Sequence, residues 1–447
     1  MARESYLAQF YGRSQNFTQI PNQWFKEYNV KKGLRNEDGT GVRIGLTRIS
    51  DVVGYEKTEE GVKPVPGRLI YRGYDIEDLI AGKHGSHYGY EEVCFLLLFG
   101  YLPSRRELEQ FCGLLRECYA VPDDFVEMNL LRMPGKNLMN KLQDAVLSLY
   151  NYDEDPDNTE VYETLLKGIN LVAKLPAIAC YAYWSKQHYY DRDSLVIHYA
   201  DPNYSIAENF LSLLRKDRKF TEKEAALLDT LLMLHADHGG GNNSTFTNVV
   251  ISSTGTDIYS TLCGSIGSLK GPRHGGANIK SAEMMDAVLQ ETGGYDAEDA
   301  ALRSAAEKLL EGRLYDETGL IYGFGHAVYT ISDPRAEVLR ECCKAVAAEK
   351  ERTKELDFFM RFEKLAKEVT KEKKGKALPT NVDYYSGFAY SLLKIPRDLF
   401  TPLFVLSRSV GWVAHNLENK LYDGRIMRPA TKYVGDLKKY VDMEERM

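Results

Sequence analysis

The sequence has few of the features that mark secreted, membrane or nucleic-acid-binding proteins. Its 447 residues contain seven cysteines and no C-x-x-C pair, which indicates neither a disulfide framework nor a cysteine zinc site and suits a reducing cytoplasm. It has no run of about 18 apolar residues, and its first residues, MARES, lack the apolar core of a secretory signal. A net charge of −7 argues against nucleic-acid binding. We therefore expect a cytoplasmic protein that binds neither nucleic acid nor a membrane.

Strand patterns are also scarce, whereas helical patterns recur from residue 90 onward. Capping boxes, in which a Ser or Thr and a Glu three residues later satisfy each other's backbone N–H groups, predict helix starts after Ser104, Ser205 and Thr221. Apolar spacing together with Gly and Pro positions predicts helices at 90–99, 137–150, 159–186, 257–270, 277–289, 297–310, 335–349, 354–370, 383–393 and 399–419. These signals predict a mainly α fold.

The predicted β structure is confined to the N-terminal part of the chain. Residues 42–47 and 68–71 have strand composition, and the segment between them at 57–67 is rich in turn residues. We expect a small β-hairpin or meander there. A charged run at 371–376 follows a predicted helix and is expected to be a solvated loop.

The most informative segment is GPRHGGAN at 271–278. Pro272 should end the helix before it, and Gly275 and Gly276 allow a sharp turn before the next helix. His274 then lies at the positive end of a helix, where a cation is disfavoured. A neutral imidazole in that place can donate one hydrogen bond to a developing oxyanion. On these residues alone, a structural histidine in a tight turn is the alternative.

Two other glycine-rich segments contain histidines. His235 and His238 are three residues apart at a helix end with Asp237 between them, a spacing that permits a metal site. The sequence supplies no nearby H-x-x-x-H, H-E-x-x-H or cysteine pair as further ligands. His326 ends GFGH, whose G-x-G lacks a surrounding βαβ unit and does not indicate a dinucleotide site. A hydrogen-bonded structural histidine is the alternative at both places.

Charged residues in unfavourable surroundings complete the candidates. Arg335 begins a predicted helix, where a cation is disfavoured, so we expect it to face an anion. Asp383 lies at or just before a helix start, as either an N-cap or a general base. Arg408 lies in an apolar helix and Arg428 precedes a proline; a buried arginine needs a carboxylate from the protein or from a ligand.

Taken in order, these motifs resemble the citrate synthase family from about residue 40 to about residue 435. The segments that carry the resemblance are GRLIYRGY at 67–74, HADH at 235–238, GPRHGGAN at 271–278, GHAV at 325–328, DPR at 333–335, NVD at 381–383, SG at 386–387, SR at 407–408 and RP at 428–429. The resemblance implies a homodimer or an assembly of dimers with a two-domain helical fold. Residues 1–279 and 387–447 would form the large domain, and residues 280–386 a small inserted domain that acts as a lid.

The resemblance also implies an acyltransferase of the tricarboxylic acid cycle, an Si-type citrate synthase that condenses acetyl-CoA with oxaloacetate. Carried over residue by residue, His274 would donate a hydrogen bond to the thioester oxygen while Asp383 removes a methyl proton. His326 would polarise the ketone of oxaloacetate, helped by His238. Acetyl-CoA is a substrate, so no cofactor and no metal are expected.

The remaining implied contacts hold the two substrates. The residues assigned to oxaloacetate are His238, Asn242, Arg335, Arg408 and, from the partner subunit, Arg428. The residues assigned to CoA are Gly323, Phe324, Gly325, Lys374 and Lys376. The sequence departs from the family at Thr330, where some members have a basic residue for a CoA phosphate, and at Gly239, where many have an acid.

Three other functions compete with this interpretation. A 2-methylcitrate synthase would use propionyl-CoA, and one methylene provides only about 1–3 kcal/mol of discrimination, so the sequence does not separate the two substrates. A metal-dependent hydrolase would use His235, Asp237 and His238. A helical scaffold without catalytic activity would tolerate the loss of Asp383.

Overall fold

The computed structural model describes residues 2–59, 61–83, 88–422 and 424–446. His84 and His87, which match none of the motifs that resemble the citrate synthase family, lie outside the described residues. The chain divides into two compact units, Gly45–Ile426 and a smaller one made of Met1–Ile44 with Met427–Met447. The smaller unit contains helices α1 (Ala2–Thr18) and α2 (Asn22–Glu27) and single 3₁₀ turns at Lys32–Leu34 and Met443–Glu445.

The larger unit is mainly helical, which confirms the predicted fold class. Its first helices are α3 (Ile76–Gly82), α4 (Gly89–Phe99), α5 (Arg105–Glu117), α6 (Asp123–Phe125), α7 (Leu138–Ser148), α8 (Val161–Tyr190), α9 (Ile206–Leu214) and α10 (Glu222–His235). The others are α11 (Asn243–Ser252), α12 (Ile258–Lys270), α13 (Ala277–Thr292), α14 (Asp299–Leu310), α15 (Pro334–Glu349), α16 (Thr353–Lys374), α17 (Val382–Leu392) and α18 (Phe400–Leu421). A π turn at Val126–Leu131 and 3₁₀ turns at Leu149–Tyr152 and Arg397–Leu399 connect some of them.

The local sequence signals for the starts and ends of these helices act as predicted. The side chains of Ser104, Ser205 and Thr221 form complete capping boxes with the glutamates three residues later. Gly100 ends α4 in the left-handed region, with φ of 89°. A residue with a side chain would be strained there, so glycine is required by the backbone conformation.

The sheet is a hairpin with a short third strand, and its bounds differ from the prediction. Strands β1 (Ser50–Thr58) and β2 (Gly61–Tyr71) pair antiparallel, and β2 pairs with β3 (Tyr74–Asp75). Residues 42–47 lie outside regular structure, so the strand predicted there is wrong. The segment at 57–67, predicted to be a turn-rich insert, is strand over most of its length. Pro66 and Gly67 fall where the register shifts and are not paired in the ladder, so the missing N–H of Pro66 costs no ladder hydrogen bond.

Two long helices form the centre of the larger unit. Helix α18 is buried from residue 400 to residue 417 and packs against α4, α8, α10, α11 and α12. Helix α8 contains Pro176 and is long and apolar enough to cross a membrane, but 72% of its apolar window is buried inside the protein, as in a core helix. A polar side chain on α18 is therefore enclosed by protein and needs a partner there.

The charged run at 371–376 is not a loop over most of its length. Helix α16 continues to Lys374 and ends at Gly375, which has φ of 73°. Lysines in the last turn interact favourably with the negative end of the helix dipole, so the helix extends four residues beyond the predicted end at residue 370.

Candidate active site

The 271–278 segment forms the predicted turn between α12 and α13. The His274 amide donates to the Gly271 carbonyl at 2.9 Å, and the His274 carbonyl accepts from Ala277 at the start of α13. A Cβ on Gly275 would press against the side chain and the carbonyl oxygen of Leu269, so only glycine fits. Burial, with a smaller contribution from the charge of Arg408, lowers the pKa of His274 to about 4. The ring is therefore neutral at physiological pH.

One side of the His274 ring is held by the helix that begins nearby, α11. His274 Nε2 lies 3.0 Å from the hydroxyl oxygen of Ser244, and Trp412 of α18 donates its indole N–H to the same oxygen at 3.3 Å. Ser244 and Trp412 are both fully buried. The tautomer of His274 thus depends on the proton of this one hydroxyl group.

His238 lies in the loop that connects α10 to α11. Burial, Arg335, His326, Arg408 and His274, in that order, lower the pKa of His238 well below its usual value. These residues come from distant parts of the chain, and all act on one ring, so the structure brings five of the predicted site residues into one cluster. His238 Nε2 is buried and has no hydrogen-bond partner within the described residues.

The His326 ring meets the His238 ring edge to face, with ring centroids 5.1 Å apart. Its Nδ1 accepts the backbone N–H groups of Val328 and Tyr329 at 3.1 and 3.0 Å. An imidazole nitrogen that accepts two N–H groups carries no proton, so the proton of His326 lies on Nε2. The Tyr329 ring stacks on the imidazole at a centroid distance of 4.6 Å and fixes its plane.

Asp383 is the second residue of α17, and the N-cap of that helix is Asn381, whose side chain accepts from the Asp383 amide at 3.0 Å. Asp383 is therefore not the helix cap. Its Oδ1 atom is buried and has no hydrogen-bond partner in the described parts of the chain. Burial raises the pKa of Asp383 to about 7, against the opposing charge of Arg335, and Asp333 raises it further.

A short antiparallel bridge couples the His326 segment to the Asp383 segment. Phe324 and Thr380 pair across it, the Gly325 amide donates to the Pro379 carbonyl at 2.7 Å, and Asn381 donates to the Gly325 carbonyl at 2.8 Å. Phe324 is one of the three residues in this segment that were predicted to contact CoA. Its side chain is buried in the core, so only its backbone is left for such a contact.

Arg335 has an anionic partner within the protein. Both oxygens of Asp333 accept from its guanidinium group, at 3.0 Å for Nε and 2.8 Å for Nη2, and both side chains are buried. Asp333 is also the N-cap of α15 and accepts from the Val382 amide at 3.2 Å. One carboxylate therefore fixes Arg335 relative to the start of the helix that carries Asp383.

Arg408 is 1% exposed on the core helix α18. Its Nε donates to the His235 carbonyl at 2.7 Å, and its guanidinium group lies over the ring of Phe404. Burial lowers the pKa of Arg408 to about 10, so it remains a cation at physiological pH. Its Nη2 is buried without a hydrogen-bond partner in the part of the chain that the structure describes. A buried cation with an unpaired donor fits an anionic ligand.

The other predicted binding residues have different surroundings. Asn242 caps α11: it accepts from the Thr245 amide, and its amide group donates to the Gly239 carbonyl and the Thr245 hydroxyl, so both donor hydrogens are used within the protein. Lys374 and Lys376 are exposed on either side of the α16 C-cap. Arg428 is exposed and belongs to the smaller unit.

The three residues of the metal alternative do not converge on a common point. His235 Nδ1 bonds to the Leu231 carbonyl at 2.8 Å, within α10. Asp237 instead bonds to the Ser50 hydroxyl and to His415 Nε2, the latter at 3.2 Å. Among the residues that the structure describes, no group of three or more His, Cys, Asp or Glu side chains is placed to hold a metal ion. The hydrolase alternative thus has no structural support.

Sequence reasoning gave no role to several residues that shape this site. Asp333 could have been found, because an N-cap aspartate two residues before an arginine is placed to pair with it. His415 lies seven residues after Arg408, which is two turns of α18. Helical periodicity alone therefore places the two residues on the same face of the helix. Ser244 and Trp412 meet only through the tertiary fold, and no local signal marks them.

The chain is similar to known proteins over most of its length. The family model described as citrate synthase, C-terminal domain, matches residues 37–430. Citrate synthase 2 of Bacillus subtilis is 36% identical over 383 residues, which cover 85% of this chain and 93% of that protein. The 2-methylcitrate synthase of Shewanella oneidensis is 33% identical over 368 residues, 82% of this chain and 88% of that protein.

Among solved structures, the ternary complex of carboxymethyl coenzyme A and oxaloacetate with citrate synthase from Thermoplasma acidophilum matches with a TM-score of 0.76 and 27% identity. The match covers 93% of this chain and 99% of that one. The family predicted from the motifs is confirmed: the chain belongs to the citrate synthase family, which makes it an acyl-transferring enzyme.

Proposed function

We propose that the cluster around His238 condenses acetyl-CoA with oxaloacetate and then hydrolyses the citryl thioester, with His274, His326 and Asp383 as the acting groups. The observation that carries the proposal is the electrostatic convergence of His274, His326, Arg335 and Arg408 on His238, with Asp383 linked to them through Arg335. No cofactor takes part, because acetyl-CoA is itself a substrate.

Asp383 is the base that removes a proton from the acetyl methyl group. A carboxylate with a pKa near 7 is a stronger base than an ordinary aspartate and is still ionised in a useful fraction at neutral pH. Its Oδ1, which no described residue donates to, is the acceptor for the methyl proton. The methyl group is a very weak acid, so the enolate that forms must be stabilised as the proton leaves.

His274 supplies that stabilisation as a neutral donor. The Ser244 hydroxyl oxygen lies 3.0 Å from both His274 Nε2 and Asn242 Oδ1, and Trp412 can only donate to it. We assign the Ser244 hydroxyl proton to His274 Nε2, because Asn242 Oδ1 already accepts from the Thr245 amide. With Nε2 accepting, the imidazole proton lies on Nδ1 and can be donated to the thioester oxygen. Such a preorganised donor contributes about 3–4 kcal/mol to the transition state.

The ketone of oxaloacetate is the electrophile. His326 Nε2–H is oriented by the two backbone amides on Nδ1 and donates to the ketone oxygen beside His238. Arg335 and Arg408 bind the two carboxylates of oxaloacetate, which places the ketone carbon at attack distance from the enolate carbon.

The bonds balance over three steps. First, the methyl C–H bond breaks and its proton passes to Asp383. Second, the methyl carbon forms a C–C bond to the ketone carbon, and the ketone oxygen receives a proton from the histidine that donates to it. Third, water adds to the thioester carbonyl and the C–S bond breaks; one water proton passes to the sulfur, so CoA leaves as the thiol, and the other is released when the new carboxyl group of citrate ionises. The proton that Asp383 took up returns to solvent, and the histidine regains from solvent the proton that it gave to the ketone oxygen.

A thiol-release assay with acetyl-CoA and oxaloacetate tests the assignment. Asp383→Ala and His274→Ala are each expected to lower kcat by at least about 100-fold. The matched control is Asp123→Asn, an exposed carboxylate in α6, which should keep wild-type kcat. Wild-type rates in Asp383→Ala would remove Asp383 as the base, and absence of thiol release in the wild-type protein would favour a scaffold without catalytic activity.

The proposal includes a lid made of residues 280–386, with residues 1–279 and 387–447 as the fixed body. His326, Arg335 and Asp383 belong to the lid, whereas His274 and Arg408 belong to the body. Closure would exclude water until condensation is complete, since a free enolate in water is reprotonated. Oxaloacetate therefore binds first, and its presence should tighten the binding of acetyl-CoA. Equal affinity for acetyl-CoA with and without oxaloacetate, measured by calorimetry, would contradict this order.

We also propose that the enzyme acts as a homodimer in which Arg428 completes the oxaloacetate site of the partner subunit. The proposal is supported by large apolar side chains exposed near the C-terminus, including Leu437 (93%) and Tyr440 (83%). Co-expression of Asp383→Ala with Arg428→Ala tests it, because in the mixed dimer one of the two sites has both native residues. Half of the dimers are mixed and each mixed dimer has one complete site, so about a quarter of wild-type activity is expected. If Arg428 acts in its own subunit, no site is complete and no activity is expected.

For CoA we propose contacts to the backbone of residues 323–325 and to Lys374 and Lys376, in a cytoplasmic enzyme. The segment 323–325 adjoins His326, and the two lysines are exposed cations within reach of water, as a phosphate ligand requires. A double Lys374→Gln, Lys376→Gln variant should raise KM for acetyl-CoA and leave KM for oxaloacetate unchanged.

Propionyl-CoA is the second candidate substrate, and the similarity to a 2-methylcitrate synthase favours testing it. Comparison of kcat/KM for acetyl-CoA and propionyl-CoA decides between the two. A ratio well above one assigns the acetyl group, and a ratio below one assigns the propionyl group.

A further inference from the structure

The β1–β2 hairpin contacts two loops, one that contains His238 and one that contains His326. At its base, Ser50 and Tyr71 lie opposite each other in the ladder. The Ser50 hydroxyl bonds to the Asp237 carboxylate and accepts the Gly239 amide at 3.0 Å. The Tyr71 hydroxyl bonds to the backbone carbonyl of Asp237 at 2.9 Å and to its amide at 3.1 Å. The base of the hairpin therefore holds both residues that flank His238.

The middle of the hairpin contacts the other loop. Its register shifts between Val53 and Tyr55, which leaves Gly54 at an irregular position that faces the segment after His326. The Thr330 hydroxyl donates to the Gly54 carbonyl at 2.6 Å. A Cβ on Gly54 would overlap the carbonyl oxygen of Val328 and lie 2.8 Å from the Cα of Tyr329.

A second glycine repeats this close approach on the opposite strand. The Gly67 amide donates to the Ser332 hydroxyl at 3.3 Å, and a Cβ on Gly67 would overlap the Ser332 carbonyl oxygen. Irregular positions in a ladder bend a strand and often lie beside active sites, where they direct a neighbouring group. Gly54 and Gly67 both face the loop of residues 328–332, so the bent part of the hairpin packs directly against the backbone of that loop.

The contacted residues are those that orient His326. Val328 and Tyr329 donate the amides that fix its tautomer, and the Tyr329 ring stacks on its imidazole. Neither loop has regular secondary structure of its own, yet the His238 and His326 rings stand 5.1 Å apart. A misplacement of about 1 Å in such a pair can cost roughly 100-fold in rate, so a rigid support is required.

We propose that the hairpin is the element that sets the spacing of His238 and His326, and that Gly54, Gly67 and Thr330 are positioning residues for the ketone of oxaloacetate. This inference rests on the proposed function of the two histidines. It also spans the proposed domain boundary, because the hairpin belongs to the body and residues 328–332 to the lid. The hairpin thus holds the lid loop against the loop of His238.

Two substitutions test the contact without touching the histidines. Thr330→Val keeps the shape and removes the bond to the Gly54 carbonyl, and Gly54→Ala forces the Val328 backbone to move. We expect kcat to fall about tenfold in Thr330→Val and about 100-fold in Gly54→Ala, with a small change in KM for acetyl-CoA. The infrared stretch of the ketone of bound oxaloacetate should move towards its value in free solution in both variants.

The hairpin and its surroundings offer matched controls. Thr58→Val removes a hydroxyl bond of similar kind, to the Gly61 carbonyl at 3.1 Å, at the far end of the hairpin. Gly45→Ala adds a Cβ where the structure has open space. Both should keep the wild-type kcat and ketone stretch. The proposal is overturned if Thr330→Val and Gly54→Ala fold and match the wild type, or if the controls lose as much activity.

A measurement on the ligand-free enzyme separates this inference from the proposed function. The ¹⁵N resonances of histidine-labelled protein report whether His326 Nδ1 still accepts its two amides. Gly54→Ala should shift the His326 ring resonances, and Gly45→Ala should not. If the wild type makes no citrate but these shifts appear, the proposed function fails and the structural role of the hairpin stands. Unchanged resonances in Gly54→Ala reject the hairpin proposal even in an active enzyme.

Discussion

Asp333 binds Arg335 with both oxygens of its carboxylate, and the two residues are only two positions apart in the chain. The same carboxylate caps α15 and accepts the first amide of α17, one residue before Asp383. A single buried side chain therefore fixes the direction of a substrate-binding cation and the start of the helix that carries the base.

Replacement of Asp333 by asparagine tests this arrangement. The Asp333→Asn side chain would still cap α15, because asparagine is a good N-cap, but the charge that orients Arg335 would be lost. We expect KM for oxaloacetate to rise about tenfold or more and the free energy of unfolding to fall by about 3 kcal/mol, since a buried arginine loses its partner. Steady-state kinetics and urea denaturation measure the two effects.

Asp257→Asn is the matched control for that change. Asp257 is a buried N-cap whose side chain accepts from the Ser260 amide, at the start of α12. It should lose little stability and keep the wild-type KM for oxaloacetate. An unchanged KM in Asp333→Asn would show that Arg335 does not need its partner to bind substrate.

The pH dependence of activity should follow the ionisation of Asp383. Burial raises its pKa to about 7 in the free enzyme, and the base acts only when it is ionised. Below that pH, kcat/KM for acetyl-CoA should fall about tenfold per pH unit. In Asp333→Asn the acidic limb should move to lower pH, because the charge of Asp333 is one of the causes of the raised pKa. A limb near pH 4 would reject Asp383 as a base of raised pKa.

The same group should make stability depend on pH. The pKa of Asp383 is about 7 in the folded protein and about 3.9 in the unfolded chain, so the folded state holds the extra proton between these values. Stability from this group is full below about pH 4 and is lost as the pH rises through 7. Asp383→Asn is neutral throughout, and its Tm relative to the wild type should increase from pH 5 to pH 8. Asp123→Asn should show no such trend.

Much of the helical framework could be predicted from local sequence signals. The capping boxes at Ser104, Ser205 and Thr221 and the left-handed glycine at position 100 determine helix ends within a few residues, independently of the rest of the chain. The predicted neutrality of His274 is supported as well, although burial and Arg408 are the causes of its lowered pKa. Its neutrality was predicted from the helix dipole.

Features that depend on contacts between distant segments could not be read from the sequence. Pro66 and Gly67 read locally as a turn, whereas in the fold they occupy an irregular part of a strand that accommodates the Ser332 backbone. The partner of Arg335 was expected to be an anion of unstated origin, and the structure supplies it from Asp333. Sequence spacing identifies which groups are chemically able to act, and tertiary packing decides which of them meet.

A chelator experiment tests the choice between this chemistry and the metal alternative. In the part of the chain that the structure describes, His235 bonds within α10 and Asp237 bonds to Ser50 and His415, so neither side chain is placed as a ligand beside His238. Activity should be unchanged after dialysis against EDTA and 1,10-phenanthroline, and elemental analysis should find less than one zinc or manganese per chain. Loss of activity that returns with added zinc or manganese would support the hydrolase alternative.

Ser244 should control the proton of His274. Ser244→Ala removes the hydroxyl that bonds to His274 Nε2, so the imidazole can protonate at either nitrogen and no longer favours the tautomer with the proton on Nδ1. We expect kcat to fall by about 10- to 100-fold with little change in KM for oxaloacetate, because only the enolate loses its donor. Ser252→Ala, at the end of the same helix, removes a buried hydroxyl that bonds to the Val249 carbonyl and should keep the wild-type kcat. Equal rates in Ser244→Ala and the wild type would mean that another group holds the His274 tautomer.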